Sequence, residues 1–580
     1  MMLRRRGRRL GPGLILAGLA LMLLASPAAT PSQGSQRAQA RSVQASANAA
    51  RDRSLLLRSQ IVQIRYWVDH PSQAPARLRG KFLALHNRGA TGSKIVAGST
   101  RTPAALLGDV RFNLDTSGLP QNEESGTTCL NSPAIVLQGY NDYRGVVSAT
   151  GDFGGWTLST NGGVSPIKDG QLPGVTIGGI TTPSGGDPVA RSDAACGLYA
   201  SNIDFTTNAD GSTKSSGIVL YKSNSATLTS AACTAAAPNN CWPTKKVVFG
   251  TNTASRFEDK EWMDVGVSGA AGTVVWVTWT DFMGPSGRIL GSRCTSTLSA
   301  CTAPVVISDA ADSDFTGGTK TTQFSYVTIG TDGRVYVSWL VAHFDASGNQ
   351  DLTTIKVKVA NAGSTVFGPS KVIASLPCTS SSCTGAAIGF GNLLHADDFR
   401  VATVPKNTMR IVGGAQKLFV TYEVCNPLLF GSICEEPSVR VASAPVVGTA
   451  IGAVSTATSS VAGDNYFPTI ASEQGTTGTR ILLAYYTNRF DPFHHRQDIE
   501  LVALNPATSA VLSRQRATSL SSEPDADPLL GGTFIGDYIE VTGRNGVAFT
   551  HYNANRTLMK LLGLGALVPQ QDSYLNRSTP

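Results

Sequence analysis

The sequence predicts an all-β chain folded as a seven-bladed β-propeller, and three observations carry that prediction. One unit recurs seven times: AIVLQGYND (ending Asp142), GLYASNID (Asp204), TVVWVTWTD (Asp281), RVYVSWLV (Val341), KLFVTYEV (Val424), ILLAYYTN (Asn488) and GVAFTHYN (Asn553) follow one another at intervals of 60 to 83 residues. A period of that size means radial repetition about an axis. Only 15% of residues are charged and 60 are glycine, a composition that suits short strands and tight turns. In Thr273–Asp281 valine and tryptophan interleave as in a strand buried on both faces, which blades packed on either side require. Asp332-Gly333 and Asn545-Gly546 precede two of the runs as tight-turn dipeptides. Seven repeats give seven blades, or six if the first or last is a partial blade.

Ahead of the repeats the chain changes character. Arg4, Arg5, Arg6, Arg8 and Arg9 precede an apolar stretch, Leu14 to Ala25, and then small residues at Ser26 and Ala28. This is the pattern of a signal peptide over residues 1–28, and the apolar run is too short for a comfortable membrane span. Residues 29–50 are Ala/Ser/Gln-rich and read as a disordered linker. Residues 51–105 read as a basic, partly helical extension: Leu55, Leu56, Ile61, Ile64 and Val68 fall at helical spacing among arginines, and a second short helix is expected over 76–86. Such an element either docks on the rest of the chain or binds an anionic envelope surface. The propeller is expected over 106–580.

The formal charge of +8 is unevenly placed, because residues 29–101 hold twelve Lys/Arg against Asp52 and Asp69. The repeat region is therefore mildly acidic, and the whole-chain charge is no nucleic-acid signal. The expected protein is secreted or periplasmic, monomeric, and without a membrane span once the leader is removed.

Ten cysteines fit an exported protein. Eight fall in close pairs, Cys233/Cys241, Cys294/Cys301, Cys378/Cys383 and Cys425/Cys434, each bracketing a loop beside an expected strand. Cys129 and Cys196 are left to pair with each other. No C-x2-C pair or His/Cys cluster supports zinc.

Chemistry is expected where blades begin. Asp187-Pro188, Asp259-Lys260-Glu261-Trp262, Asp398-Phe399-Arg400, Asp464-Asn465-Tyr466 and Asp537-Tyr538 each lie a dozen or more residues before the end of a repeated run, where an innermost strand would start. Rotation about the axis would bring these carboxylates to one mouth of the channel, as ligands for a hard cation such as Ca²⁺ or for sugar hydroxyls. The competing reading is structural: an Asp at a strand start commonly fixes the turn by accepting backbone N–H groups. Asp259 and Asp537 are the first catalytic candidates, because an aromatic and a second acid follow each of them closely. Tyr538 and Glu540 could form a nucleophile pair, though strand alternation alone would place both on one face. His494, His495, Asp491 and Asp498 could ligate a metal or form a polar loop.

GYNDYR (139–144), GWTLSTNGG (155–163), DKEWMDV (259–265), VYVSW (335–339), DNYFPTIAS (464–472) and GTFIGDYI (532–539) resemble the bacterial sialidase-like propellers with BNR/Asp-box repeats. The similarity spans roughly residues 110–560. One degenerate Asp-box is present, Ser159 to Gly163, with Asn161 where the family has Asp and Pro166 where it has Trp. The resemblance implies exo-sialidase chemistry: three arginines on the sugar carboxylate, a Tyr–Glu nucleophile and an Asp acid/base. The family's Arg-Ile-Pro motif is absent; Arg111-Phe112-Asn113 stands near its place. Arg144, Arg256, Arg293, Arg489 and Arg544 remain as carboxylate binders, and of these Arg144 and Arg489, with Asp187, Asp398 and Asp464, make up the expected ligand-binding set. The expected function is recognition of extracellular glycan or protein at the mouth, with no cofactor required and Ca²⁺ as an optional ligand; the alternative is a glycoside hydrolase.

Overall fold

Each repeated run is the second strand of an antiparallel blade. A computed structural model describes residues 71–73, 79, 83 and 108–580, apart from 285, 318, 347, 379–381, 386–387, 395–398, 430–432, 476–479 and 532–533. The leader, the linker and nearly all of the basic extension lie outside the described residues; Pro71–Gln73 is a single 3₁₀ turn.

The innermost strands of blades 1 to 7 are Gln121–Thr128, Ser184–Ser192, Arg256–Val267, Lys320–Ile329, Lys406–Val412, Asn465–Ser472 and Glu540–Arg544. Six blades are four-stranded sheets, and blade 5 sits in a larger, nine-stranded one. Seven blades, not six, are therefore present. Within 108–580 the described α-helix is confined to Ser225–Thr229 and Pro238–Cys241; Arg79 and Leu83, inside the second helix expected over 76–86, are helical as well. The run Thr273–Met283 is buried along nearly its whole length, as its unbroken apolar character requires. Asn545-Gly546 forms the expected two-residue hairpin, with both residues at positive φ.

The ring closes with strands from both ends of the propeller. Asp109–Arg111 is the outermost strand of blade 7 and pairs with Val568–Ser578, Asp109 opposite Asn576. Asp109 locks the seam: its carboxylate takes a hydrogen bond from Asn576 Nδ2 and an ion pair from Arg556, each at 2.8 Å.

Five inner strands break register at one equivalent position. In each, two residues face a single partner in the second strand, and the first of the two is left-handed: Glu123 (φ 60°), Asp187 (58°), Lys260 (50°), Phe324 (58°) and Phe467 (50°). These are β-bulges. A left-handed non-glycine residue costs about 1–2 kcal/mol, so the surrounding packing must over-determine each one. Tyr140, Trp279, Trp339 and Tyr485 stand opposite four of the bulges and are fully buried. The aromatic of the repeated run is thus what the bulge packs around.

Disulfides join Cys129–Cys196, Cys233–Cys241, Cys294–Cys301 and Cys425–Cys434. Cys378 is also disulfide-bonded. The Cys383 side chain lies outside those described. Three bridges close short loops, whereas Cys129–Cys196 spans 67 residues and ties blade 1 to blade 2. Replacing both its cysteines by serine is expected to cost about 4 kcal/mol, mainly through the freer unfolded chain. Denaturant unfolding of the double variant with the other bridges intact would check this; an unchanged midpoint would refute it.

Candidate functional site

Inner strands surround the axis, so the bulge residues of neighbouring blades meet there. Lys260 Nζ lies 3.0 Å from Glu123, 3.0 Å from Asp187 and 2.6 Å from Asp537. Arg400 pairs with Asp537 at 2.5 Å. Asn141 donates to Glu123 (3.0 Å) and Asp187 (3.4 Å) and accepts the Asp187 N–H, while the Asp537 N–H donates to Glu123. All these side chains are buried.

Charge in this cluster balances. Burial, then the Asp187 charge, push the Glu123 carboxyl well above the usual carboxylate range. Burial would raise Asp187 as well, but the Lys260 ammonium and a hydrogen bond from Glu123 hold it below its ordinary value. The proton therefore resides on Glu123 and Asp187 is ionised. Burial works against the Lys260 charge, but Asp187 and Asp537 raise its pKa well above the ordinary lysine value. Two cations face two anions and one neutral acid.

Further along the inner strands lies an aromatic belt. Trp262 packs against Tyr326 (ring centroids 4.5 Å apart) and Tyr538 (5.2 Å). Lys406 Nζ sits 4.5 to 5.5 Å from all three rings and donates to the Ile539 carbonyl. Burial pulls this amine down to about 7. Beside it Arg191 grips Glu540 with two bonds, 2.6 and 2.9 Å, and Tyr326 Oη donates to the same carboxylate at 3.4 Å. Gly126 N–H adds a third donor, and a side chain at Gly126 would collide with the buried His551 ring.

The expected site residues divide. Asp187 and Asp537 do converge on the axis. Asp259 does not act as a free acid: it is buried and accepts the N–H of Lys260. Tyr538 is buried, and burial raises its phenol well above the ordinary range. The partner of Glu540 is Tyr326, from blade 4, and not Tyr538. Asp464 stays off the axis, hydrogen-bonded to Asn488 in both directions. Arg144 is held by Asp142 and Asp169, and Arg489 by Glu500, so neither guanidinium is presented as a carboxylate clamp. Asp398 lies outside the described residues. Asp491 accepts the N–H groups of His495 and Arg496, and Asp498 serves Arg516, Thr518 and Ser521. Among the described residues no three His, Cys, Asp or Glu side chains group for a metal ion. Asn161 ties its turn through Ser159 and Ser165.

Sequence reasoning missed Glu123, Lys260, Arg400, Arg191 and Lys406. Lys260 stood beside an acid already singled out, but its left-handed backbone, which turns it into the cluster, leaves no mark in the residue pattern.

The mouth face, where inner strands begin and second strands end, also carries an off-axis cavity of about 550 Å³ between blades 5 and 6. Asn426, Glu436, Ser438, Arg440, Val461, Gly463, Asp464 and His494 line it.

No protein-family model and no curated protein matches the chain. Solved structures give remote likenesses. The Hadza microbial sialidase Hz136 aligns at 10% identity and TM-score 0.36 over 68% of this chain, which spans 65% of that one. The GH93 α-L-arabinofuranosidase of Fusarium graminearum aligns at 9% identity and TM-score 0.38, covering 83% and 98% of the two chains. A polysaccharide lyase of family PL25, an ulvan lyase, aligns at 7% identity and TM-score 0.41, covering 80% and 94%. Every one of these scores lies below 0.5.

Proposed function

We propose that the chain is an exported propeller that binds glycan at its mouth face without hydrolysing it. One observation carries this reading: the axial carboxylates are already engaged by cations and by one another. Glu123 and Asp187 meet the electrostatic criterion for an acid and its ionised partner. They fail the geometric one, because they bond to each other, whereas glycosidase carboxylates stand about 5 to 9 Å apart to admit substrate or water. Asp537 is occupied by Lys260 and Arg400. Export is supported by four disulfides and by the cationic and apolar leader. No described helix is long and apolar enough to cross a membrane. The reading calls for no cofactor.

A second reading is favoured by a single contact. Tyr326 beside Glu540 and Arg191 is the residue set of a tyrosine nucleophile next to its base. Against it, Arg191 is spent on Glu540, and Tyr326 and Glu540 are buried.

Turnover of a fluorogenic sialoside by protein starting at residue 29 separates the two, run beside Glu540→Gln and Asp537→Asn. No turnover is expected from any of them. Turnover that disappears in Glu540→Gln would replace the binding reading with the hydrolase.

A further inference from the structure

We infer that the cavity between blades 5 and 6 is the glycan site, and that it takes an uncharged saccharide with its ring stacked on Phe493. This rests on the binding reading above and adds the place and the ligand class. Three observations meet there. The cavity has the volume of a small-ligand site. Its charged lining is mixed: Glu436 and Asp464 set two carboxylates against Arg440. Sugar hydroxyls donate to carboxylates and accept from guanidinium, so this lining satisfies a polyol, while a uronate or sialate would face two like charges.

The third observation is Phe493. It is 79% exposed, an unusual state for a phenylalanine, and it immediately precedes His494, which lines the cavity. Its loop is held in place. Asp491 accepts the N–H groups of His495 and Arg496, and the His494 N–H donates to the Asp491 carbonyl. Asn488 ties the loop to Asp464 at 2.7 Å and to the His494 carbonyl at 3.0 Å. Next door Phe490 lies between the guanidinium groups of Arg489 and Arg516, 4.0 and 5.3 Å from its ring. Phe493 is not itself a lining residue, but its preorganised loop carries His494, which is, and an exposed ring on that loop offers the apolar face a pyranose C–H surface needs at little entropic cost on binding.

The test is binding of the mature protein to immobilised gluco-, manno- and galacto-oligosaccharides and to the same chains capped by a uronate or sialic acid, with Phe493→Ala and Glu436→Gln in parallel. Both substitutions are at exposed positions, and circular dichroism would verify that the variants fold. Binding is expected to the uncharged chains alone, weakened about tenfold by Phe493→Ala and about three- to tenfold by Glu436→Gln. Binding that neither variant alters would overturn the placement while leaving the binding reading intact. Preference for the acidic caps, strengthened in Glu436→Gln, would overturn the ligand class. Failure of every probe to bind would overturn both the site and the glycan reading. Hydrolysis of a bound probe would sink only the non-catalytic reading, and the two variants would still decide the site.

Discussion

Lys260→Met is expected to destabilise the protein by roughly 3–5 kcal/mol, the cost of removing one partner from a buried ion cluster. The methionine fills the volume, so the loss is electrostatic. Without the ammonium, Asp187 and Asp537 face each other across the axis beside Glu123, with only Arg400 in compensation. The effect has a pH signature. Lys260 depresses the Asp187 pKa in the folded state, and a depressed carboxylate contributes stability that is present above its unfolded value and lost as pH falls. The gap between parent and variant is therefore widest near neutrality and narrows below about pH 4. Guanidinium unfolding at pH 7 and pH 3 measures it. Equal midpoints at pH 7 would mean that the cluster does not hold the inner strands together.

Glu423→Gln is expected to act in the opposite sense and to stabilise the protein in alkali. This carboxyl is buried and accepts the N–H of Phe467, the left-handed bulge residue of blade 6, at 2.6 Å. Burial raises it to about 8. A raised acid contributes stability that is complete below its unfolded pKa, near 4.5, and that is lost as pH climbs through the folded value. The whole shift corresponds to something on the order of 4 kcal/mol. Parent stability should fall between pH 5 and pH 9, and the glutamine variant should fall less and exceed the parent at pH 9. Some slope remains in the variant, because burial also raises Glu124 and Glu261. Parallel pH profiles would remove Glu423 from the account.

The blades were legible because their signal is local and apolar. Seven Val/Trp/Tyr-rich runs became seven second strands, and three of the four close cysteine pairs around short loops are staples. The acids were half legible. Asp187 and Asp537 reach the axis as rotation implied, yet Asp464 does not, and Asp259 is turned into its own backbone. For Asp187, Asp259 and Asp464 the difference is the bulge, since only Asp187 is itself the left-handed residue, and the five bulges read Asn-Glu-Glu, Gly-Asp-Pro, Asp-Lys-Glu, Gln-Phe-Ser and Tyr-Phe-Pro. They share a conformation and no residue type. A backbone geometry imposed by ring packing has no one-letter signature, which is why Lys260 was passed over beside an acid that was noticed. Glu540 shows the same limit across blades: a strand pattern pairs it with Tyr538, two residues away, while the fold pairs it with Tyr326, 214 positions back.

The seam at Asp109 sets a timetable for the chain. Its hydrogen bond to Asn576 joins residues 467 positions apart, so the first strand to leave the ribosome waits for almost the last. The hairpins of the other blades can form as they emerge, each from neighbours in sequence. Closing the ring is a single late event, with a loop entropy of about 5 kcal/mol. Until it happens, Asp109–Arg111 and the outer edge of Val568–Ser578 are unpaired, the form in which strands find the wrong neighbour. The vulnerable interval is therefore the one after the sixth blade has formed and before the seam closes.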